Sequence, residues 1–211
     1  MELTIDQKDA LTELINIGYG RAAGALSELT GYRITLEVPQ VTMHEIHNVA
    51  PMLAEMIKSN VASVDQGFSG PISGTALLLL DEQAARAVSQ LLTEDGARST
   101  ASPEGGLDSN AREIITEVGN ILLNACLGVF GNLLRVPINF AVPKLQVAGV
   151  TAVMNSVNGG PVESLDYGLM IHTRFLVKTS NFAGYMVIVL GVTSLERLLA
   201  ELKNWEERQT I

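Results

Sequence analysis

The chain has 211 residues, of which 47% are apolar and 18% charged, a composition that suits a globular protein with a sizeable core. Its net charge of −9 argues against binding to nucleic acid or to an anionic membrane surface, since both require basic patches. The single cysteine suits a reducing compartment, and no signal peptide is visible. The apolar runs are too short to span a bilayer. We therefore expect a cytoplasmic protein without membrane insertion.

In the first half, apolar periodicity predicts a helix from about Asp6 to Thr30, with Thr4 as N-cap and Gly31 as its stop. The residues at helical spacing that form its expected core face are Leu11, Leu14, Ile15, Ala22, Ala25, Leu26 and Leu29. Strands are predicted in YRITLEVPQVTM, VASVDQGFSG and GTALLLL, and a second helix in DEQAARAVSQLL.

The second half repeats this layout. A helix is predicted from Asp108 to Leu134, capped by Asp108 or Ser109. Strands follow in VPINFAVPKLQVAGV, YGLMIHTRFLV and FAGYMVIVL, and the last helix in TSLERLLAELKNWEE. The polar segment TEDGARSTASPEGGLDSN between the halves is predicted to be a linker, because it is rich in Gly and Ser.

The two halves are also related in sequence. A shift of 104 residues without a gap aligns residues 12–41 with residues 116–145. Identical residues then include Thr12 and Thr116, Glu13 and Glu117, Asn16 and Asn120, Gly24 and Gly128, and Pro39 and Pro143. We therefore expect one domain, residues 1–211, made of two internal repeats at about 1–95 and 106–205. Short links between strands favour an α/β fold of two pseudo-symmetric halves, with long helices packed on a largely antiparallel sheet.

A polar stripe runs along each long helix. Asp9, Glu13, Asn16 and Gly20 are four, three and four residues apart, which places them on one face, away from the apolar residues. The equivalent residues in the second half are Glu113, Glu117, Asn120 and Asn124. A single Glu/Asn pair is most simply explained as a solvated helix face. Its recurrence, beside small residues in the first helix, favours a docking surface.

These residues resemble a known signature. Asp9, Glu13, Asn16 and the distant Pro39 follow the spacing of the CheC/CheX/FliY family of chemotaxis phosphatases. The second copy keeps Glu117, Asn120 and Pro143, and has Glu113 where the family usually has Asp or Ser. Two motif copies in one chain, without a flagellar-switch domain, look most like the CheC type.

The resemblance implies hydrolysis of the aspartyl phosphate on the response regulator CheY. The Mg²⁺ would belong to the regulator, so the chain needs no cofactor or metal of its own. Asn16 and Asn120 would orient the attacking water, and Glu13 and Glu117 would pair with a lysine of the regulator. Asp9 and Glu113 would support the stripe, and Asp9 could instead form a local cap. Pro39 and Pro143 would shape the sheet from edge or bulge positions.

Two other functions remain open from the sequence. CheC-like proteins also bind the receptor deamidase CheD, so the chain could be a non-catalytic adaptor. A flagellar-switch-associated role is a third alternative.

The pair His44 and His47 lacks a metal-binding cluster around it and is expected to lie on the surface or in a turn. Cys126 is expected to be a small buried residue.

Overall fold

The computed structural model describes residues 2–92, 107–158, 165–177 and 180–209. The helices are α1 (Ile5–Thr30), α2 (Ile46–Met56), α3 (Glu82–Leu92), α4 (Ser109–Leu134), α5 (Val150–Asn158) and α6 (Val192–Gln209). The strands are β1 (Ile34–Leu36), β2 (Gln40–Glu45), β3 (Val61–Ser69), β4 (Gly74–Asp81), β5 (Asn139–Phe140), β6 (Lys144–Ala148), β7 (Tyr167–Val177) and β8 (Ser180–Leu190). Most of the predicted linker, residues 93–106, lies outside the described residues.

The described strands form one antiparallel sheet in the order β1-β7-β8-β4-β3-β5, with β2 also paired to β7 and β6 also paired to β3. Both halves have the same element order, a long helix, two short strands, a helix, two long strands and a helix. The short strands of each half pair with a long strand of the other half. The α/β fold with two pseudo-symmetric halves and helices on an antiparallel sheet, predicted from the sequence, is confirmed.

The helices cover both faces of the sheet. The core on one face contains apolar residues of α1, α3, α4 and α6, and the smaller core on the other face contains those of α2 and α5. Alternation along β4 shows why both faces are apolar, since Leu78 and Leu80 belong to the first core while Leu77 and Leu79 belong to the second. The two long helices therefore lie together on one face of the sheet.

The ends of the two long helices correspond residue for residue. Helix α4 begins and ends 104 residues after α1, because 109 − 5 and 134 − 30 are both 104. Thr4 caps α1 through a capping box with Gln7, and Asp108, rather than Ser109, caps α4 by accepting from the Ala111 N–H. Both helices end in a left-handed residue, Gly31 at φ 67° and Arg135 at φ 59°.

Three expectations about the elements were wrong. Helices α2 and α5 are absent from the predicted elements; α2 contains Pro51, which normally argues against a helix. The predicted strand VPINFAVPKLQVAGV consists of two short strands, and its last residue begins α5. On the expected core face of α1, Ala25 is exposed and Leu29 is 61% exposed, because Ala22 and Leu26 form the buried side of this part of the helix.

Helix α4 is more apolar than the short apolar runs in the sequence suggested. By length and composition alone it could cross a membrane, with a mean hydropathy of 1.6 over 18 residues. Half of that segment is buried inside the protein, and α4 packs against α1, α3, α6 and the sheet. Its apolar character is explained by this central position in the core.

Candidate functional site

The first polar stripe lies on the outer face of α1. Glu13 and Asn16 are exposed, as are Asp9 and Gly20. The opposite face is the core face, where Leu11, Leu14 and Ile15 are fully buried. Burial of that face holds the helix on the sheet and leaves Glu13 and Asn16, less than one helical turn apart, directed to solvent. Asp9 does not cap the helix, since Thr4 does.

The second stripe has the same order of residues but a different environment. Glu113 and Glu117 are exposed, whereas Asn120 and Asn124 are only partly exposed. The Asn124 Nδ2 donates a hydrogen bond of 2.6 Å to Asn120 Oδ1. Glycine at position 20 leaves the equivalent space in α1 open, with no atom within 4 Å of where a Cβ would lie. The two Glu/Asn pairs therefore match in backbone position and differ in the residue beside the asparagine.

The acidic residues of both pairs are available to a partner. Among the described residues, no side-chain hydrogen bond or ion pair is formed by Glu13, Asn16 or Glu117. An exposed carboxylate without an internal partner can pair with an external cation, and an exposed carboxamide can both accept and donate hydrogen bonds. The surface thus offers two carboxylates and two amides for intermolecular contacts.

Close packing of α1 on α4 fixes the two stripes relative to each other. A Cβ added to Gly18 would lie 2.8 Å from the Cα of Cys126 and 3.4 Å from the backbone oxygen of Ala125. Glycine is therefore needed where the two helix backbones approach. Gly18 lies on the buried side of α1, and its close neighbours Cys126 and Ala125 belong to α4.

Helix α4 is seated on the sheet by a glycine that sequence reasoning did not single out. A Cβ added to Gly119 would lie 2.6 Å from the Cβ and Cγ1 of Val64 on β3. Gly119 directly precedes Asn120, so this contact sets the height of the second Glu/Asn pair above the sheet. Its only signal in the sequence is a glycine at a position where the first helix has Ile15.

Pro39 and Pro143 lie in equivalent bulges of the two edge strands, which confirms their predicted edge or bulge positions. Leu36 pairs with Phe175 but Gln40 pairs with His172, so the edge strand has one more residue than β7 between these pairs. The same excess occurs between Phe140 and Lys144 opposite β3. A proline cannot donate to the ladder, so a bulge accommodates it. The preceding residues, Val38 and Val142, are 68% and 81% exposed.

The remaining polar candidates do not form a second site. His44 is bonded to Thr42 Oγ1 at 3.0 Å on β2, and His47 lies on α2, 3.5 Å from a Glu45 carboxylate oxygen. Within the described residues, no group of three or more His, Cys, Asp or Glu side chains could hold a metal ion.

Cys126 is fully buried, as predicted, and burial raises the pKa of its thiol, so it is not a nucleophile at neutral pH.

The chain is similar to known proteins both in sequence and in fold. The model of the CheC-like family matches residues 7–43, which contain Glu13, Asn16 and Pro39. The CheY-P phosphatase CheC of Bacillus subtilis is 24% identical over 200 residues, covering 93% of this chain and 94% of CheC. The structure of FliY from Thermotoga maritima superimposes with a TM-score of 0.76 at 20% identity, covering 97% of this chain and 100% of that one. The family model, the sequence similarity to CheC and the structural match to FliY together support an assignment to the CheC/FliY family.

A similar fold occurs in a solved complex of CheX with CheY. The structure of the CheX–CheY–BeF₃–Mg²⁺ complex from Borrelia burgdorferi matches with a TM-score of 0.51 and 15% identity, covering 82% of this chain and 96% of that one. At this identity the likeness shows the fold alone. In this chain, the fold places two Glu/Asn pairs on long helices that share one face of the sheet.

Proposed function

We propose that this protein hydrolyses the aspartyl phosphate of a CheY-like response regulator. The observation that carries the proposal is the Glu/Asn pair found at the same position of both long helices, exposed on the side away from the core. The relative named CheY-P phosphatase CheC supports the choice of substrate. The complex of CheX with CheY supports docking of a regulator on this fold.

The reaction makes modest demands on the enzyme. Water attacks the phosphorus, the bond between phosphorus and the aspartyl oxygen breaks, and the products are inorganic phosphate and a free carboxylate. The acyl phosphate is already activated, and the Mg²⁺ that neutralises it belongs to the substrate. Catalysis of phosphoryl transfer depends mainly on positioning and charge stabilisation. An enzyme of this kind therefore needs a group that orients one water, and needs no nucleophile.

Asn16 and Asn120 are assigned to this role. A carboxamide oxygen accepts a hydrogen bond from the water, and the NH₂ group of the same side chain donates to a phosphoryl oxygen. One group can therefore align the nucleophile with the phosphorus. Entry of a side chain into a partner's active site requires exposure; Asn16 is exposed and Asn120 is partly exposed.

Glu13 and Glu117 are assigned to docking. Each lies three residues before its asparagine, so both side chains of a pair can enter one cleft of the regulator. Each carboxylate is free to pair with a lysine of the regulator, which would fix the register of the asparagine. Asp9 and Glu113 extend the acidic stripe by one turn and support the same contact. The proposal places the protein in the cytoplasm, with its substrate.

The test is a phosphate-release assay with a phosphorylated CheY-like regulator and Mg²⁺. It compares Asn16→Ala, Asn120→Ala and the double variant. Misplacing the attacking water lowers the reaction rate roughly 100-fold. We therefore expect the double variant to release phosphate about 100-fold more slowly than the unmodified protein. Asn132→Ala is the matched control, because Asn132 is also an exposed asparagine of α4 but lies three turns further along.

Three results would count against this function or its site assignment. Full activity in the double variant refutes the assignment of the asparagines. Absence of activity in the unmodified chain, with binding to CheD retained, favours the adaptor alternative. Stable association with the flagellar motor in place of turnover would favour the switch alternative. Thermal unfolding of each variant, measured in parallel, separates loss of chemistry from loss of fold.

A further inference from the structure

Asn124 gives Asn120 a side-chain hydrogen bond that Asn16 does not have among the described residues. Its Nδ2 donates to Asn120 Oδ1 at 2.6 Å. At the equivalent position α1 has Gly20, and Asn16 forms no side-chain hydrogen bond with any described residue. The two sites that the duplication made alike therefore differ at the atom assigned to accept from the water.

This hydrogen bond restrains Asn120. A carboxamide oxygen has two lone pairs, and Asn124 occupies one of them. Residues four apart are neighbours along one helix face, so the bond holds the Asn120 carboxamide beside the helix surface. Asn120 is accordingly only partly exposed, whereas Asn16 is exposed. Insertion of Asn120 into a partner's active site moves its carboxamide away from the helix surface and therefore breaks this bond.

Asn124 is also imperfectly satisfied in its own position. Its Oδ1 is buried and has no hydrogen-bond partner. A buried acceptor without a partner reduces stability. Its contact with Asn120 is the feature of its environment that bears on the proposed site.

We propose that Asn124 is a positioning residue that holds Asn120 back and makes the second site weaker than the first. The inference rests on the proposed phosphatase function. Because the bond must be given up whenever Asn120 enters the regulator, it weakens the enzyme–substrate complex and the transition state equally. Such a uniform loss raises KM and leaves kcat unchanged. The net free energy of one hydrogen bond corresponds to a change in KM of about 2- to 10-fold.

The test isolates each site. In an Asn16→Ala background, only the second site can act, and adding Asn124→Ala is expected to lower KM about 2- to 10-fold at unchanged kcat. In an Asn120→Ala background, Gly20→Asn should install the same restraint in the first site and raise KM by a similar factor. Asn132→Ala, an exposed asparagine outside both stripes, is the control for each background.

A lower kcat or an unchanged KM in the Asn124→Ala variant overturns the proposal, since either result makes Asn124 an aid to catalysis or irrelevant to it. An unchanged KM for Gly20→Asn also contradicts it. The side-chain NH₂ signals of Asn120 in an NMR spectrum provide a readout that does not depend on turnover. They should shift on Asn124→Ala, and their failure to shift refutes the restraint. By contrast, the phosphatase function fails if the unmodified chain releases no phosphate.

Discussion

Gly18→Ala tests whether the backbone contact between α1 and α4 fixes the two stripes. The added Cβ would lie 2.8 Å from Cys126 Cα, whereas carbon atoms normally pack at about 3.5–4.0 Å. The helices must therefore separate by at least about 0.7 Å, or the backbone must distort. Overpacking of this kind costs about 1–3 kcal/mol, while replacing a helical glycine with alanine gains up to about 1 kcal/mol. We therefore expect Gly18→Ala to lower the free energy of unfolding by about 1–2 kcal/mol.

Gly24→Ala is the matched control, because Gly24 lies in the same helix and no atom lies within 4 Å of its added Cβ. Gly24→Ala should raise the free energy of unfolding by up to about 1 kcal/mol, from helix propensity alone. Urea unfolding of both variants gives the difference in unfolding free energy, expected to be about 1–3 kcal/mol. If the two substitutions stabilise the protein equally, the close contact between Gly18 of α1 and Cys126 of α4 is refuted. Phosphate release by Gly18→Ala then shows whether separating the helices also impairs the sites.

Two further predictions concern stability. Arg135→Gly should stabilise the protein by about 1 kcal/mol and raise Tm by roughly 2–4 °C, because Arg135 has φ 59° and glycine adopts this conformation without strain; an unchanged Tm in calorimetry would contradict it. His172→Gln should weaken the pH dependence of unfolding between pH 7 and 5. Burial and nearby Arg174 lower the pKa of His172, so the unfolded chain binds more protons as the pH falls and the folded protein loses stability. Urea unfolding at pH 7 and pH 5 measures this loss, and an equal loss in His172→Gln and the unmodified protein would refute the prediction.

The long helices were predictable because their signals are local. Thr4 and Gly31 mark the ends of α1, and the spacing of Leu11, Leu14 and Ile15 identifies the buried face. The exposed face follows by elimination, so the positions of Glu13 and Asn16 could be inferred. The duplication then transferred the same reasoning to α4.

Features set by tertiary contacts were not predictable in the same way. Periodicity showed that Gly18 faces the interior but not that its neighbour is Cys126 rather than a strand. Helix α2 was missed because Pro51 is a strong local signal against a helix, and tertiary packing of Val49 and Leu53 outweighs it. The hydrogen bond from Asn124 to Asn120 depends on side-chain rotamers, which sequence spacing does not determine.

The exchange of edge strands explains why two sites can keep a fixed relation in one chain. The β1–β2 strand of the first half pairs with β7 of the second, and β5–β6 pairs with β3 of the first. Neither half can therefore move away without breaking both ladders, in addition to the β4–β8 pairing at the centre. The backbone positions of the two stripes are held by this topology, whereas the residue types at single positions such as Gly20 and Asn124 are not. Divergence between the sites is thus confined to residues that can change without altering the fold.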